Sequence, residues 1–77
     1  MDEFLKRIVI NPEVMVGKPV IKGTRITVEH IMRELSTGAT PAEVVELYPH
    51  ITLDDVKAAC AYAAARLAEE RVLIIAE

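Results

Sequence analysis

Several residues in this chain have the types and spacing that chemistry requires. Gly17-Lys18, followed by Gly23-Thr24, carries the letters of a phosphate-binding loop in the wrong order. Such a loop needs its lysine directly after its second glycine, where a helix opens. Here Pro19 marks an extended segment, so a nucleotide cradle is set aside. His30 and Glu34 stand one helical turn apart, but a metal would need further ligands. The other nitrogen and sulfur candidates, His50 and Cys60, are scattered along the chain. An exposed ion pair or hydrogen bond is the expectation for His30 and Glu34. Cys60 falls mid-helix among alanines, with no base beside it to activate a thiolate. It is expected to be a small buried hydrophobe. Asp54 and Asp55 fit the first turn of a helix, where the helix dipole favours negative charge. These residues compose no active site, so a non-enzyme without cofactor or metal is expected.

The remaining candidates are bases. The net charge is −3, yet residues 1–28 carry an excess of bases and residues 29–77 an excess of acids. The asymmetry is modest and compatible with ordinary solubility. If the chain binds DNA, Lys18, Lys22 and Arg25 are the candidates at the front, with Thr24 as a neutral donor. Farther along, Thr52, Lys57 and His50 join them. Alternatively, the front charges simply solvate a hairpin. The acids Asp54 and Asp55 argue against direct base reading, because they repel phosphates.

These side chains need elements to hold them. Ile8-Val9-Ile10 is a β-branched run closed by the turn signal Asn11-Pro12. Gly17 and Gly23 bracket a second extended segment, and Pro19 bars it from a central strand position. Together they form a hairpin-like arm. Thr27 can cap a helix whose apolar face is Val28, Ile31, Met32 and Leu35, and Gly38 stops it. Thr40-Pro41-Ala42-Glu43 reads as a capping box with proline at the first helical position. That helix carries Val44, Val45, Leu47 and Tyr48 and ends by Pro49. Thr52 caps a third, alanine-rich helix running to about Arg71, with Leu53, Val56, Ala59, Cys60, Ala63 and Leu67 as its buried stripe. The second and third helices, joined by Pro49-His50-Ile51-Thr52, make a helix-turn-helix unit. In DNA-binding versions of this unit the later helix enters the major groove.

The run from Gly17 to Val28, GKPVIKGTRITV, closely resembles the signature of the family catalogued as domain of unknown function 433. Gly38-Ala39-Thr40-Pro41-Ala42-Glu43-Val44, Tyr48-Pro49-His50-Ile51-Thr52 and the segment from Asp55 to Ala63 fit its pattern too. The resemblance covers roughly residues 8–65. That family is similar to VapB-type antitoxins. The resemblance implies a homeodomain-like fold, a dimer, and pairing with a PIN-like ribonuclease toxin.

The expected fold is therefore mainly α: a three-helix homeodomain-like helix-turn-helix bundle with a short N-terminal β arm. A single domain spans 1–77, with the arm at 8–27, the bundle at 28–71 and an apolar tail at 72–77. The tail residues Val72, Leu73, Ile74 and Ile75 are candidates for docking a toxin or a second protomer, for example by strand addition. Folding back on their own core is the other reading. A chain of 77 residues has a marginal core, and its single cysteine allows no internal disulfide, so a partner chain is expected. The lone cysteine and an acidic start without a secretory signal fit a reducing cytoplasm, and no run is long enough to span a membrane. The expected function is an antitoxin-like component that neutralises a PIN-like ribonuclease and binds its own operator DNA as a homodimer. The alternatives are a helix-turn-helix transcription regulator or a structural dimerisation domain without a toxin.

Overall fold

The computed structural model describes residues 2–69. The tail candidates Val72, Leu73, Ile74 and Ile75 lie outside them. The described residues form a mainly helical small fold: α1 (Asp2–Leu5), β1 (Ile8–Val9), β2 (Val20–Ile21), α2 (Val28–Ser36), α3 (Pro41–Leu47) and α4 (Leu53–Glu69). The strands pair antiparallel, with Ile8 opposite Ile21 and Val9 opposite Val20. α4 is the hub and packs against α1, α2, α3 and β1.

The helix boundaries follow from local chemistry. The Thr27 side chain accepts a hydrogen bond from the His30 amide and opens α2. At the other end Gly38, at φ +105°, turns the chain into the left-handed region. The Gly38 amide reaches the Leu35 carbonyl at 3.1 Å, and the Ala39 amide reaches the Glu34 carbonyl at 3.3 Å. This pair of bonds is a Schellman motif. α3 opens on the full capping box, with Glu43 N to Thr40 Oγ1 at 3.1 Å and Thr40 N to Glu43 Oε1 at 2.8 Å.

α4 opens on a second capping box, in which Asp55 answers the expected Thr52 cap. Asp55 N donates to Thr52 Oγ1 at 3.2 Å, and Thr52 N donates to Asp55 Oδ2 at 2.9 Å. The other carboxylate oxygen of Asp55 accepts from Arg7 Nη1 at 3.0 Å, and Arg7 Nη2 lies 3.6 Å from Asp54. The two acids are thus more than dipole partners. Asp55 is 7% exposed, and a buried carboxylate persists only when its acceptors are filled.

Two expectations are corrected. A fourth helix, α1, precedes the arm and packs on α4. The arm is part of the core, because Val20 and Ile21 are each 1% exposed. In its link Met15, Val16 and Gly17 all take positive φ, an uncommon conformation for a β-branched valine. Finally, the stripe assigned to the third helix is wrong at three positions. Leu53, Cys60 and Leu67 are exposed, while Asp55, Val56, Ala58 and Ala59 are buried. Alanines on every side of α4 leave little hydrophobic contrast from which to read its orientation.

The core itself joins Ile21, Val28, Ile31, Val44, Ile51, Val56 and Ala59, with Ile8, Met32, Leu35, Val45 and Tyr48 packed around them. Each fully buried isoleucine or valine contributes roughly 1.5–3 kcal/mol. At its edge a polar clamp joins α2 to the end of α3. His30 Nε2 shares a hydrogen bond with the Tyr48 hydroxyl, which donates to Glu34 Oε2 at 3.4 Å. The two rings meet edge-on at 5.2 Å. Glu34 lies 3.7 Å from His30, so the expected pairing of these two is present, with Tyr48 added. Desolvation raises the Tyr48 phenol above its ordinary value of 10.0, and the Glu34 charge and hydrogen bond add to the shift.

Two predictions test this frame. Asp55→Ala removes both the cap and the Arg7 contact and is expected to cost about 2 kcal/mol in urea denaturation. Arg7→Ala leaves the cap intact but strands the buried Asp55 carboxylate, and is expected to cost about 1–3 kcal/mol; a loss indistinguishable from zero would refute the pairing. The raised phenol gives a pH signature. Its contribution is whole below pH 10.0 and lost as pH rises through the folded value. Tyr48→Phe is therefore expected to lower stability at neutral pH and to flatten the decline above pH 10, read from urea midpoints.

Candidate nucleic-acid interface

The site is built on a tight turn. The Thr24 amide donates to the Ile21 carbonyl at 2.9 Å, and Gly23 takes φ +82°. This is the pattern of a type II turn, which demands a residue tolerant of positive φ at its third position. The Thr24 hydroxyl donates to the Ile21 carbonyl at 2.8 Å and accepts from the Ile26 amide at 3.0 Å. The turn is anchored on both sides, by Lys22 N to Arg7 O at 2.7 Å and Ile21 N to Ile26 O at 2.9 Å. Its backbone is therefore fixed, and Lys22 and Arg25 project from it as exposed side chains.

Lys22 and Arg25 line one open cleft of ≈ 820 Å³, which His50 closes from the turn between α3 and α4. Asn11, Thr24 and apolar side chains complete the lining, and no acid is among these residues. Among the described residues, neither Lys22 nor Arg25 forms a salt bridge. The cleft thus combines two unanswered positive charges, an imidazole and an amide. This chemistry suits an anion such as a phosphate.

The other candidates stand apart. Lys18 pairs with Glu29 at 3.2 Å. That hydrogen bond and charge, joined by Arg33, hold the Glu29 carboxyl below its ordinary value of 4.5. The Lys18 charge is therefore already answered. Lys57 is not in this cleft and lines a separate groove with Phe4 and Pro41. Thr52 is exposed at the start of α4, but its oxygen accepts the capping bond. The hydroxyl proton of Thr24 is used within the turn, which removes the donor role assigned to it. His50 emerges as a full member of the cleft, and Arg7 as the residue that offsets Asp54 and Asp55. Arg7 and Asp55 lie 48 positions apart, and no local signal in the sequence joins them.

No helix among the described residues is long and apolar enough to cross a membrane. Comparison with known proteins agrees with this architecture. An uncharacterized protein of Archaeoglobus fulgidus is 59% identical over 29 residues, covering 38% of this chain and 81% of that protein. The crystal structure of a DUF433 member protein from Anabaena variabilis matches with a TM-score of 0.75 at 31% identity. That match covers 83% of this chain, which spans 63% of the length of the solved one. The family model "Protein of unknown function (DUF433)" matches residues 8–63, from the first strand into the middle of α4, and the chain belongs to this family.

Proposed function

We propose that the chain is a non-catalytic, antitoxin-like component that binds operator DNA as a homodimer and holds a PIN-like ribonuclease. The observation that carries the DNA half is the convergence of Lys22, Arg25 and His50 on one cleft without an acid. In this reading the cleft grips the phosphate backbone. α3, the turn at 48–52 and α4 then serve as a homeodomain-like helix-turn-helix. Arg7 offsets the acids of the first turn of α4, which lowers the repulsion that Asp54 and Asp55 would exert on phosphates. The ribonuclease half is supported by the similarity of the family whose signature the arm carries to VapB-type antitoxins, and by the apolar residues Val72 to Ile75 in the sequence. The same cleft equally serves a transcription regulator without a toxin. A ribonuclease reading frame beside the gene favours the antitoxin, and its absence favours the regulator.

Fluorescence anisotropy with the DNA upstream of the gene tests the reading. A dimer that neutralises about four to six phosphates gives a log–log salt slope near −4 to −5. Lys22→Ala and Arg25→Ala are each expected to weaken binding alike on all sequences, because backbone contacts position without specifying. In a dimer each change removes two charges and flattens the slope by about 2. Lys18→Ala, whose charge Glu29 already answers, is expected to change it little. Variants that bind as tightly as the parent would take the arm out of the interface. For the toxin half, a chain ending at Arg71 is expected to bind the ribonuclease more weakly than the full chain.

A further inference from the structure

α4 buries one face in the core and leaves a second apolar face uncovered. Leu53 and Leu67 are 50% and 61% exposed, and Cys60 between them is exposed as well. Seven residues make almost two turns, so these three side chains stand nearly in line along the helix. Ala64 lies beside this line, also exposed. At the Leu53 end the line runs into an apolar groove of ≈ 540 Å³, walled by Phe4, Pro41, Leu53, Val56 and Cys60. Lys57 is its one charged lining residue, and a lysine can lay its stem on such a rim while its amine stays in water. At the other end Leu67 stands proud of the surface.

We propose that this face is covered by a second copy of the chain, with the two α4 helices antiparallel about a two-fold axis at Cys60. The stripe is a palindrome: one leucine seven positions before Cys60 and one seven positions after. A two-fold rotation maps such a stripe onto itself, which is the requirement for an isologous interface. Leu53, at the near wall of the groove, and the protruding Leu67 lie fourteen residues apart, about 21 Å along the helix. Reversing one helix about Cys60 brings each Leu67 beside the other copy's Leu53, at the mouth of its groove. The small side chain of Ala64 leaves room for the helices to approach closely. A helix of another protein would fill one groove but would have no reason to match the spacing at both ends. The interface supplies the contact for the homodimer in the reading above, and it is testable without DNA or ribonuclease.

The test is sedimentation of the full chain alone, with cross-linking by a short bis-maleimide through its single cysteine. The parent is expected to sediment at twice its 8.5 kDa mass and to cross-link at Cys60. Leu53→Glu and Leu67→Glu, both at exposed positions, are each expected to weaken association about tenfold or more while circular dichroism stays unchanged. A parent that stays monomeric at millimolar concentration overturns the proposal. So does a dimer that does not cross-link at Cys60. A dimer weakened by Leu53→Glu but not by Leu67→Glu also overturns it, and would assign the groove to another occupant such as residues 70–77. Any of these results leaves DNA binding by the cleft to be judged by anisotropy.

Discussion

One carboxylate joins the two halves of this fold. Asp55 accepts the amide that opens α4 and, on its other oxygen, the guanidinium of Arg7 from the link between α1 and β1. A carboxylate this buried would be costly if either bond were missing. The N-terminal segment therefore cannot detach from α4 without stranding a charge. The backbone of Arg7 strengthens the joint, since its carbonyl receives the Lys22 amide. A single residue thus connects the cap of the longest helix to the turn that carries the exposed bases.

Much of the frame was legible in the sequence because caps and turns are local. Thr27, Thr40 with Glu43, Thr52, Gly23 and Gly38 each announce a boundary through bonds made within a few residues, and the helices begin and end where these residues stand. What was not legible depends on distance or on contrast. The Arg7–Asp55 pair spans 48 positions. The orientation of α4 is not legible because alanine marks neither inside nor outside, so that Leu53, Cys60 and Leu67 read as core although they are exposed. Of the bases, Lys22 and Arg25 come together as their shared turn implies. Lys18 is drawn to Glu29, a partner eleven residues away on α2. His50 enters the cleft only because the turn at 48–52 folds toward the arm.

The molecule also shows why a net charge of −3 is a poor guide to local charge. Several of its acids are spent at helix starts and in ion pairs: Glu43 and Asp55 in caps, Glu29 with Lys18 and Arg33, Glu69 with Arg66. Charges used this way cast short fields in water, screened over about 10 Å at 0.1 M salt. A cleft without acids in its lining can therefore stay locally positive on an acidic protein.

The anchoring of the Lys22–Gly23 turn has a consequence for how the protein opens and closes. The amides of Ile21, Lys22 and Val28 are tied to carbonyls of Ile26, Arg7 and Pro19, and the side chains of Val20, Ile21 and Val28 sit in the core. Loops that serve as binding elements commonly belong to the least protected part of a fold and exchange their amide hydrogens through local fluctuation. The amides of this turn that are tied to the core, those of Ile21, Lys22 and Val28, are instead expected to exchange far more slowly than free ones, and the backbone that carries Lys22 and Arg25 is held by the same packing as the helices.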